Sequence, residues 1–469
     1  MLRVRGVLPT AYAMSTVDSL LPFTGQLNAF FEWTSGVLWG PWLLVLLVGT
    51  HLYLTIRLGV IQRWLWPAIK LTFKPERSAE GDVSPFGALT TALAATVGAG
   101  NIVGVAVAVT AGGPGAIFWM WITGVFGIAT KYAEALLSVQ FRVKNERGEM
   151  SGGPMYVLER GLNMKWLGVL FALFTVVAAF GIGNMFQAKA VTASVLELFP
   201  EGSAEMPIRI TCGLLMAVAT GLVLIGGIKS IARFCEVLVP FMIVAYLLGC
   251  AIILAMFWDQ IPGALALIVT DALTGQAVAG GALGAVIAAG VKRGLFSNES
   301  GLGSAPIAAA AARAKNPAQQ ALVSMTGTFW DTVVICLVTG LVLVVTGAWN
   351  SGEEGAAMTN HAFGQIPSIG GPVLTLGLIT FVFSTLIGWS YYGEKAMEYL
   401  GGLKLIPIYR WLWVLAIFLG ATFPSSLVIN FSDSANALMA IPNLLSLLLL
   451  SGLIARESKK WLKEPETFE

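Results

Sequence analysis

The sequence predicts an all-α polytopic membrane protein of eleven spans: one leader helix, then two five-helix halves of opposite sense. This is a 5+5 inverted repeat with discontinuous first and sixth core helices. Three observations predict it. The chain is 56% hydrophobic and 12% charged, against roughly 25% charge in an ordinary soluble domain, and its mean hydropathy is +0.78. Lysine and arginine are concentrated in alternate connections, the asymmetry that sets orientation in a bilayer. Two apolar segments in corresponding positions are glycine-broken, Thr96-Val-Gly-Ala-Gly-Asn101 and Gly294-Leu-Phe-Ser-Asn-Glu-Ser-Gly301. Unwound backbone at membrane depth is tolerated only where protein or a polar cavity surrounds it, so matching breaks mark a midplane binding site.

Each span needs about 20 apolar residues. Residues 1–36 read as an extracytoplasmic tail. Within Met1–Ala13, two arginines and Ala11-Tyr12-Ala13 imitate a cleavable leader, but the apolar stretch is shorter than the roughly 7–15 residues a signal peptide uses. A leader span covers 37–57. The first repeat, 86–258, holds core spans at 86–111, 113–139, 165–197, 207–227 and 230–258. The second, 276–455, holds 276–311, 318–346, 371–393, 407–424 and 427–455, and 456–469 is a tail. The third core span is long enough to tilt steeply or to carry an extension.

Arg57, Arg63, Lys70, Lys74 and Arg77 follow the leader span, and Arg142, Lys144, Arg147, Arg160 and Lys165 separate the second and third core spans. Both connections are therefore expected in the cytoplasm. The alternate connections carry Glu201, Glu205, Asp259, Asp271, Glu353 and Glu354, with Arg209 the basic exception. Lys229 with Arg233, Arg313 with Lys315, Lys404 with Arg410, and the Arg456, Lys459, Lys460, Lys463 tail then all fall inside. The N-terminus is expected outside and the C-terminus inside. Because five is odd, the second set of five must cross in the opposite sense to the first. No residue-level repeat is evident, so the symmetry rests on topology and the breaks.

A net charge of +2 with no basic run excludes a nucleic-acid binder. The expected partners are lipid and a small solute. Cys212, Cys235, Cys250 and Cys336 lie in apolar spans without the short spacing of a metal site or disulfide framework, and read as core residues. His51 and His361 are the only histidines, the first expected packed and the second solvated. No histidine is placed to serve Ser300 or Ser304 as a base, which argues against an intramembrane enzyme. A channel would need a continuous polar path or a ring-forming filter.

In the first core span, Gly98, Gly100 and Gly104 surround Asn101. One interior glycine costs about 1 kcal/mol relative to alanine and says little. Three near one asparagine read either as an unwound turn or as close packing through small residues. The sixth core span carries Lys292, Arg293, Asn298 and Glu299, and a charge near the bilayer centre costs at least about 2.5–3.5 kcal/mol. These charges either face a cavity as gating groups or pair structurally, Lys292 or Arg293 with Glu299 or Asp331.

An unwound helix offers N–H groups to an anion and carbonyls to a cation, and a zwitterion uses both. An amino acid fits, its carboxylate near Gly98, Ala99 and Gly100 and its ammonium near the carbonyls of Gly294 to Ser297. Phe296 and Trp389 close the remaining volume or serve as packing. Ser384 and Thr385 in the eighth core span either bond a carbonyl one turn back or join the Ala94 and Val97 carbonyls around sodium, a hard cation that wants several oxygens.

The stretches Gly112-Gly-Pro-Gly-Ala-Ile-Phe-Trp-Met-Trp121, Gly183-Asn-Met-Phe-Gln-Ala188 and Gly290-Val-Lys-Arg-Gly-Leu-Phe-Ser-Asn-Glu-Ser-Gly-Leu-Gly-Ser-Ala305 closely resemble the alanine or glycine:cation symporter family. The likeness covers nearly the whole chain. It implies a leucine-transporter-like fold of the amino acid–polyamine–organocation superfamily, transport of alanine or glycine with sodium or in some members a proton, and a prokaryotic inner membrane. Val97-Gly-Ala-Gly-Asn101 also resembles the unwound first helix of neurotransmitter:sodium symporters.

By that likeness Asn101 and Thr96 suit a sodium site beside the substrate, and the Ala94 and Val97 carbonyls with Ser384 and Thr385 suit a second. The substrate positions implied are Gly98, Ala99, Gly100, Asn101, Gln187, Phe296, Ser297, Asn298, Thr385 and Trp389. One residue departs from the family pattern: Lys189 stands where a polar neutral residue is usual. Near a sodium site it would weaken or replace the ion; near the outer end it would snorkel to water. The function implied is secondary active symport, in which the first, second, sixth and seventh core spans rock as a bundle. Ion and substrate each tighten the other's binding.

Overall fold

A computed structural model describes residues 23–74, 79–196, 198–200, 203–224, 227–273, 282–464 and 467–468. Met1–Ala13, Arg77, Glu201 and the start of the 276–311 span lie outside the described residues. Helix α1 (Phe23–Leu38) meets α2 (Pro41–Arg57) at 49°. Pro41 at the first helical position lacks the N–H that would continue α1, so the leader helix starts there rather than at 37, and part of the expected tail is helical. A short helix, α3 (Leu65–Thr72), follows.

The first core helix is interrupted as its glycines predict. Ser84 caps α4 (Pro85–Thr96) by accepting from the Gly87 N–H, Val97 turns extended, and the chain re-enters a helix through a π turn at Gly100–Gly104 into α5 (Val105–Gly112). The two arms meet at 54°. Helix α6 (Gly115–Gln140) returns and ends in a hairpin of β1 (Val143–Lys144) and β2 (Met150–Ser151). One turn, α7 (Pro154–Tyr156), leads through α8 (Lys165–Phe180), a π turn at Gly181–Met185 and α9 (Phe186–Leu196). Next come α10 (Glu205–Leu224), α11 (Gly227–Met256) and a connecting helix the sequence did not suggest, α12 (Ile261–Leu273).

The second break lies later than expected. Helix α13 (Ala282–Asn298) runs on through Gly294, and the chain opens only at Glu299–Ala305 before the single turn α14 (Pro306–Ala309). Gly290 and Gly294 serve packing instead: a Cβ at Gly290 would collide with the Ala116 carbonyl of α6, and one at Gly294 would lie 3.2 Å from Met120. Left-handed residues make the opening, Glu299 (φ 57), Gly301 (φ 91) and Gly303 (φ 85).

Asn316 caps α15 (Pro317–Thr328), which passes through a π turn at Phe329–Cys336 into α16 (Leu337–Val345). The connecting helix α17 (Gly355–Phe363) precedes α18 (Gly370–Gly401), which extends eight residues beyond the expected 393. Helix α19 (Ile406–Thr422) follows, and α20 (Ser425–Leu449) then bends by 62° into α21 (Ser451–Trp461). The last span thus stops at 449 rather than 455, and much of the 456–469 tail is helical.

Among the described residues, six helices are long and apolar enough to cross a membrane, or up to nine if each of three bent pairs is one span. The protein is an all-α polytopic membrane protein. Of the predicted eleven spans, the two outside this count are α6 and α13. At 17 residues α13 reaches about 25 Å, short of the roughly 30 Å hydrocarbon layer, whereas α6, at 26 residues, is long enough but less apolar. The layers differ in what they bury. Helix α4 is buried on nearly every side, while α10 and α11 turn Leu215, Val218, Leu222, Val237 and Phe241 outward. That apolar outer face suits lipid, and the polar groups collect at the two breaks within.

Candidate functional site

At the first break, Gly98 donates its N–H to Asn101 Oδ1 (2.9 Å) and Ala99 donates to Gln187 Oε1 (3.1 Å). These two N–H groups, past the end of α4, are thus held by neutral amide oxygens, from the same turn and from α9. Asn101 also donates through Nδ2 to Asp331 Oδ1 (2.7 Å) and Cys336 Sγ (3.4 Å), anchoring the break to the π turn of the seventh core span. Asp331 accepts on Oδ2 from Ser297 (2.8 Å) and Thr332 (2.6 Å), and Asn298 donates to Thr332 (3.0 Å). Asn101, Ser297, Asn298 and Asp331 therefore form one fully buried network that joins both broken helices.

At the second break the usual helical donors are diverted. Ser300 N–H goes to Asn298 Oδ1, Gly301 N–H to Glu134 Oε1, and Leu302 N–H to the Glu299 carbonyl. The carbonyls of Phe296, Ser297 and Asn298, which those N–H groups would have bonded, are released. These three replace the expected run from Gly294, because Gly294 and Leu295 remain within the helix and Glu299 N–H still bonds the Leu295 carbonyl. Glu134 Oε1 accepts from Gly301 and Gly303 (3.0 Å each) and from Asn443 (2.6 Å). A carboxylate of the protein itself thus fills the nest of N–H groups there. The breaks differ in consequence: N–H groups at the first are held by displaceable neutral oxygens, while the second presents carbonyls.

Phe296 packs edge-on against Phe186, with ring centroids 4.9 Å apart, and the Phe296 side chain faces Gly100. Trp389 is fully buried and donates its indole N–H to Glu299 Oε1 (2.8 Å), while Ser304 donates to Oε2 (2.5 Å). These two bonds hold Glu299 in its left-handed conformation, which costs about 1–3 kcal/mol at a non-glycine residue.

The oxygens expected for a cation do converge. Thr385 Oγ1 lies 3.0 Å from the Ala94 carbonyl, 3.5 Å from that of Val97 and 3.0 Å from that of Phe381, while Ser384 Oγ lies 3.3 Å from Ala94 O and 2.8 Å from Phe381 O. Five oxygens and no soft donor fit sodium. The Phe381 carbonyl is the one-turn-back partner that the sequence offered as the alternative role of both hydroxyls, so the structure shows that bond and the approach to Ala94 and Val97 together. A Cβ at Gly98 would run into Thr385 Oγ1, so the bare backbone there is what admits Thr385. Thr96 instead lies within reach of the Ala92 and Leu93 carbonyls (3.2 and 3.4 Å), and Asn101 spends its side chain on Gly98 and Asp331.

The charges of α13 pair with neither Glu299 nor Asp331. Lys292 Nζ lies 2.7 Å and Arg293 Nη2 3.2 Å from Asp433 Oδ2 of α20, a residue the sequence reading passed over. Helical geometry explains it. Residues 292 and 293 sit nearly two turns before the break and point to a different neighbour. The Arg293 guanidinium also covers the Phe296 ring at 5.2 Å. Lys189 is buried and donates to the Phe423 carbonyl that follows α19 (2.6 Å), a helix-end contact rather than the expected reach to water. His51 is buried against Thr130 (2.7 Å).

The sodium:alanine symporter family pattern matches residues 24–468. The chain belongs to that family. It is 50% identical over 432 residues to the sodium/alanine symporter AgcS of Methanococcus maripaludis, covering 90% of this chain and 94% of that protein. An uncharacterized transporter of Haemophilus influenzae is 49% identical over 435 residues, covering 91% and 94%. The probable sodium/glutamine symporter GlnT of Bacillus subtilis is 37% identical over 435 residues, covering 91% and 89%. This member of the family is a cation-coupled amino-acid symporter and not an enzyme.

Proposed function

We propose that the protein imports a small neutral amino acid, alanine or glycine, together with sodium, by alternating access around the two helix breaks. The observation that carries this is the oxygen cradle, whose ligands come from two bodies. Ala94 and Val97 belong to the first broken helix, while Phe381, Ser384 and Thr385 belong to α18. An ion held by both draws the bundle of the first, second, sixth and seventh core spans against the remaining helices.

The substrate carboxylate takes the N–H groups of Gly98 and Ala99 as Asn101 and Gln187 yield, with Gly100 leaving room beside it. The ammonium takes the freed carbonyls of Phe296 and Ser297. Phe296, Thr385 and Trp389 bound the small remaining volume, and Asn298 positions the second break. Because ion and substrate share the segment 97–99, each tightens the other's binding by the same factor. Arg293 with Asp433, stacked over Phe296, acts as a gating pair on the approach to the site.

The accompanying topology is a leucine-transporter-like 5+5 inverted repeat with a leader helix, an outside N-terminus and a cytoplasmic C-terminus, in a prokaryotic inner membrane. The basic residues of α3, the β hairpin and α21 all lie on the cytoplasmic side of this arrangement. Proton coupling is the second reading, favoured by Glu299 and Asp331, two buried carboxyl groups at the breaks that lack an ion-pair partner among the described residues. Uptake of labelled alanine into proteoliposomes separates the readings. Concentrative uptake driven by a sodium gradient alone supports sodium symport; uptake driven only by a proton gradient supports the second; non-saturating flux in every gradient refutes both.

A further inference from the structure

Helix α6 buries a lysine that no part of the mechanism so far uses. Lys131 is 3% exposed, and its Nζ has no hydrogen-bond partner among the described residues. It lines a small cavity of about 10 Å³ together with Thr96, Asn298 and Ser324. Thr96 ends the arm before the first break, and Asn298 ends the arm before the second. The ammonium therefore stands between the two unwound segments, at the level of the site.

Three buried carboxyl groups surround the same region: Glu134 one turn along α6, Glu299 at the second break and Asp331 on the seventh core span. None of the three makes an ion pair within 4.0 Å of a lysine or arginine among the described residues. They are too dispersed to share a metal ion, since no group of three acidic, histidine or cysteine side chains forms a metal cage among the described residues. A charge inside the bundle is costly unless compensated, and Lys131 is the compensating cation that the chain supplies.

We propose that Lys131 is a tethered cation that takes the place of a second coupling ion between the helix breaks, so that one sodium accompanies each amino acid. This rests on the sodium-symport reading and fixes its stoichiometry. The oxygens that family likeness assigned to a sodium beside the substrate are Thr96 and Asn101. Asn101 is committed to Gly98 and Asp331, and Thr96 faces the cavity that Lys131 enters. Two like charges about 4 Å apart at an effective protein dielectric oppose each other by on the order of a thousandfold in affinity. A free sodium ion in that cavity is thereby excluded. The cradle at Ala94, Val97, Phe381, Ser384 and Thr385 has no lysine or arginine among its ligands and keeps its ion.

The wild-type protein in proteoliposomes provides the first test. The membrane voltage that just balances a tenfold alanine gradient at equal sodium is expected to correspond to one charge per alanine, and a value corresponding to two overturns the proposal. The second test counts radioactive sodium bound per chain at saturation in detergent, which requires no transport. Wild type is expected to bind one. Lys131→Ala, which opens an oxygen-lined space at Thr96, Asn298 and Ser324, is expected to bind two, whereas Lys131→Arg keeps the count at one. A folded Lys131→Ala protein, judged by size-exclusion chromatography, that still binds one sodium with unchanged affinity overturns the proposal. Should that variant not fold, the wild-type voltage decides. Sodium-driven uptake at two charges per alanine would refute only the role of Lys131; no sodium-driven uptake at all would refute the symport reading with it.

Discussion

Asn101 Nδ2 lies 2.7 Å from Asp331 Oδ1, and the Oδ1 of the same asparagine accepts the Gly98 N–H at 2.9 Å. One side chain therefore holds the first helix open and ties it to the seventh core span. Asn101→Ala leaves Gly98 N–H and Asp331 Oδ1 each without its partner, and a buried group so stranded costs about 1–3 kcal/mol. The expected outcome is loss of alanine uptake by at least tenfold while the protein still elutes as a monodisperse species. Wild-type uptake by the variant would remove Asn101 from the site.

The cation cradle predicts a separation of effects between neighbouring hydroxyls and the glycine beneath them. Thr385→Val removes the oxygen nearest the Ala94 carbonyl and is expected to raise the sodium concentration for half-maximal uptake by tenfold or more, with Ser384→Ala acting in the same direction but less. Gly98→Ala drives a methyl group into Thr385 Oγ1 and towards Gln187 Oε1. It should abolish sodium-dependent uptake outright. Equal sodium half-saturation in Thr385→Val and wild type, measured by initial uptake rates, would exclude this cradle as the coupling site.

Asp433 faces two cations at once, with its side chain 2% exposed and that of Arg293 10%. Removing one partner of a buried pair is strongly destabilising, about 3–5 kcal/mol, because the surviving charge stays buried. Lys292 is 23% exposed, so water relieves part of that cost. Asp433→Asn is therefore expected to lower stability by about 3 kcal/mol. Lys292→Met costs far less, since Arg293 still neutralises Asp433. Thermal unfolding in detergent measures both, and equal melting temperatures for the two variants would contradict the shared pairing.

Much of this was legible from residue order. The first break, the convergence of Ala94, Val97, Ser384 and Thr385, and most helix limits follow from glycine placement, apolar run length and adjacent hydroxyls. What escaped has identifiable causes. Gly294 looked like a break residue because a glycine that admits a neighbouring helix and one that releases the backbone are the same letter. Only the left-handed Glu299, Gly301 and Gly303 distinguish them. Lys131 and Glu134 were available as charges in an apolar span and were overlooked because the span has no glycine break. Asp433 required knowing which helix faces α13, which no local pattern encodes. The connecting helices α12 and α17, of 13 and 9 residues, are too short to read as spans of about 20 residues.

Trp389 is where packing and selectivity can be told apart. Its ring is fully buried, and its N–H bonds the left-handed Glu299, so the residue supports the second break, and the proposed site adds a second role in which it limits the volume beside the substrate. Trp389→Phe removes the hydrogen bond but keeps most of the volume. Leaving Glu299 Oε1 without that donor should cost about 1–3 kcal/mol of stability while the range of transported amino acids stays narrow. Trp389→Ala removes both, and a large-to-small change in a core costs about 3–5 kcal/mol with a cavity left behind. If that cavity opens onto the substrate, the variant takes up serine, valine or leucine in competition with alanine. A Trp389→Ala protein that folds, transports alanine and still rejects all three would confine Trp389 to a purely structural role at Glu299.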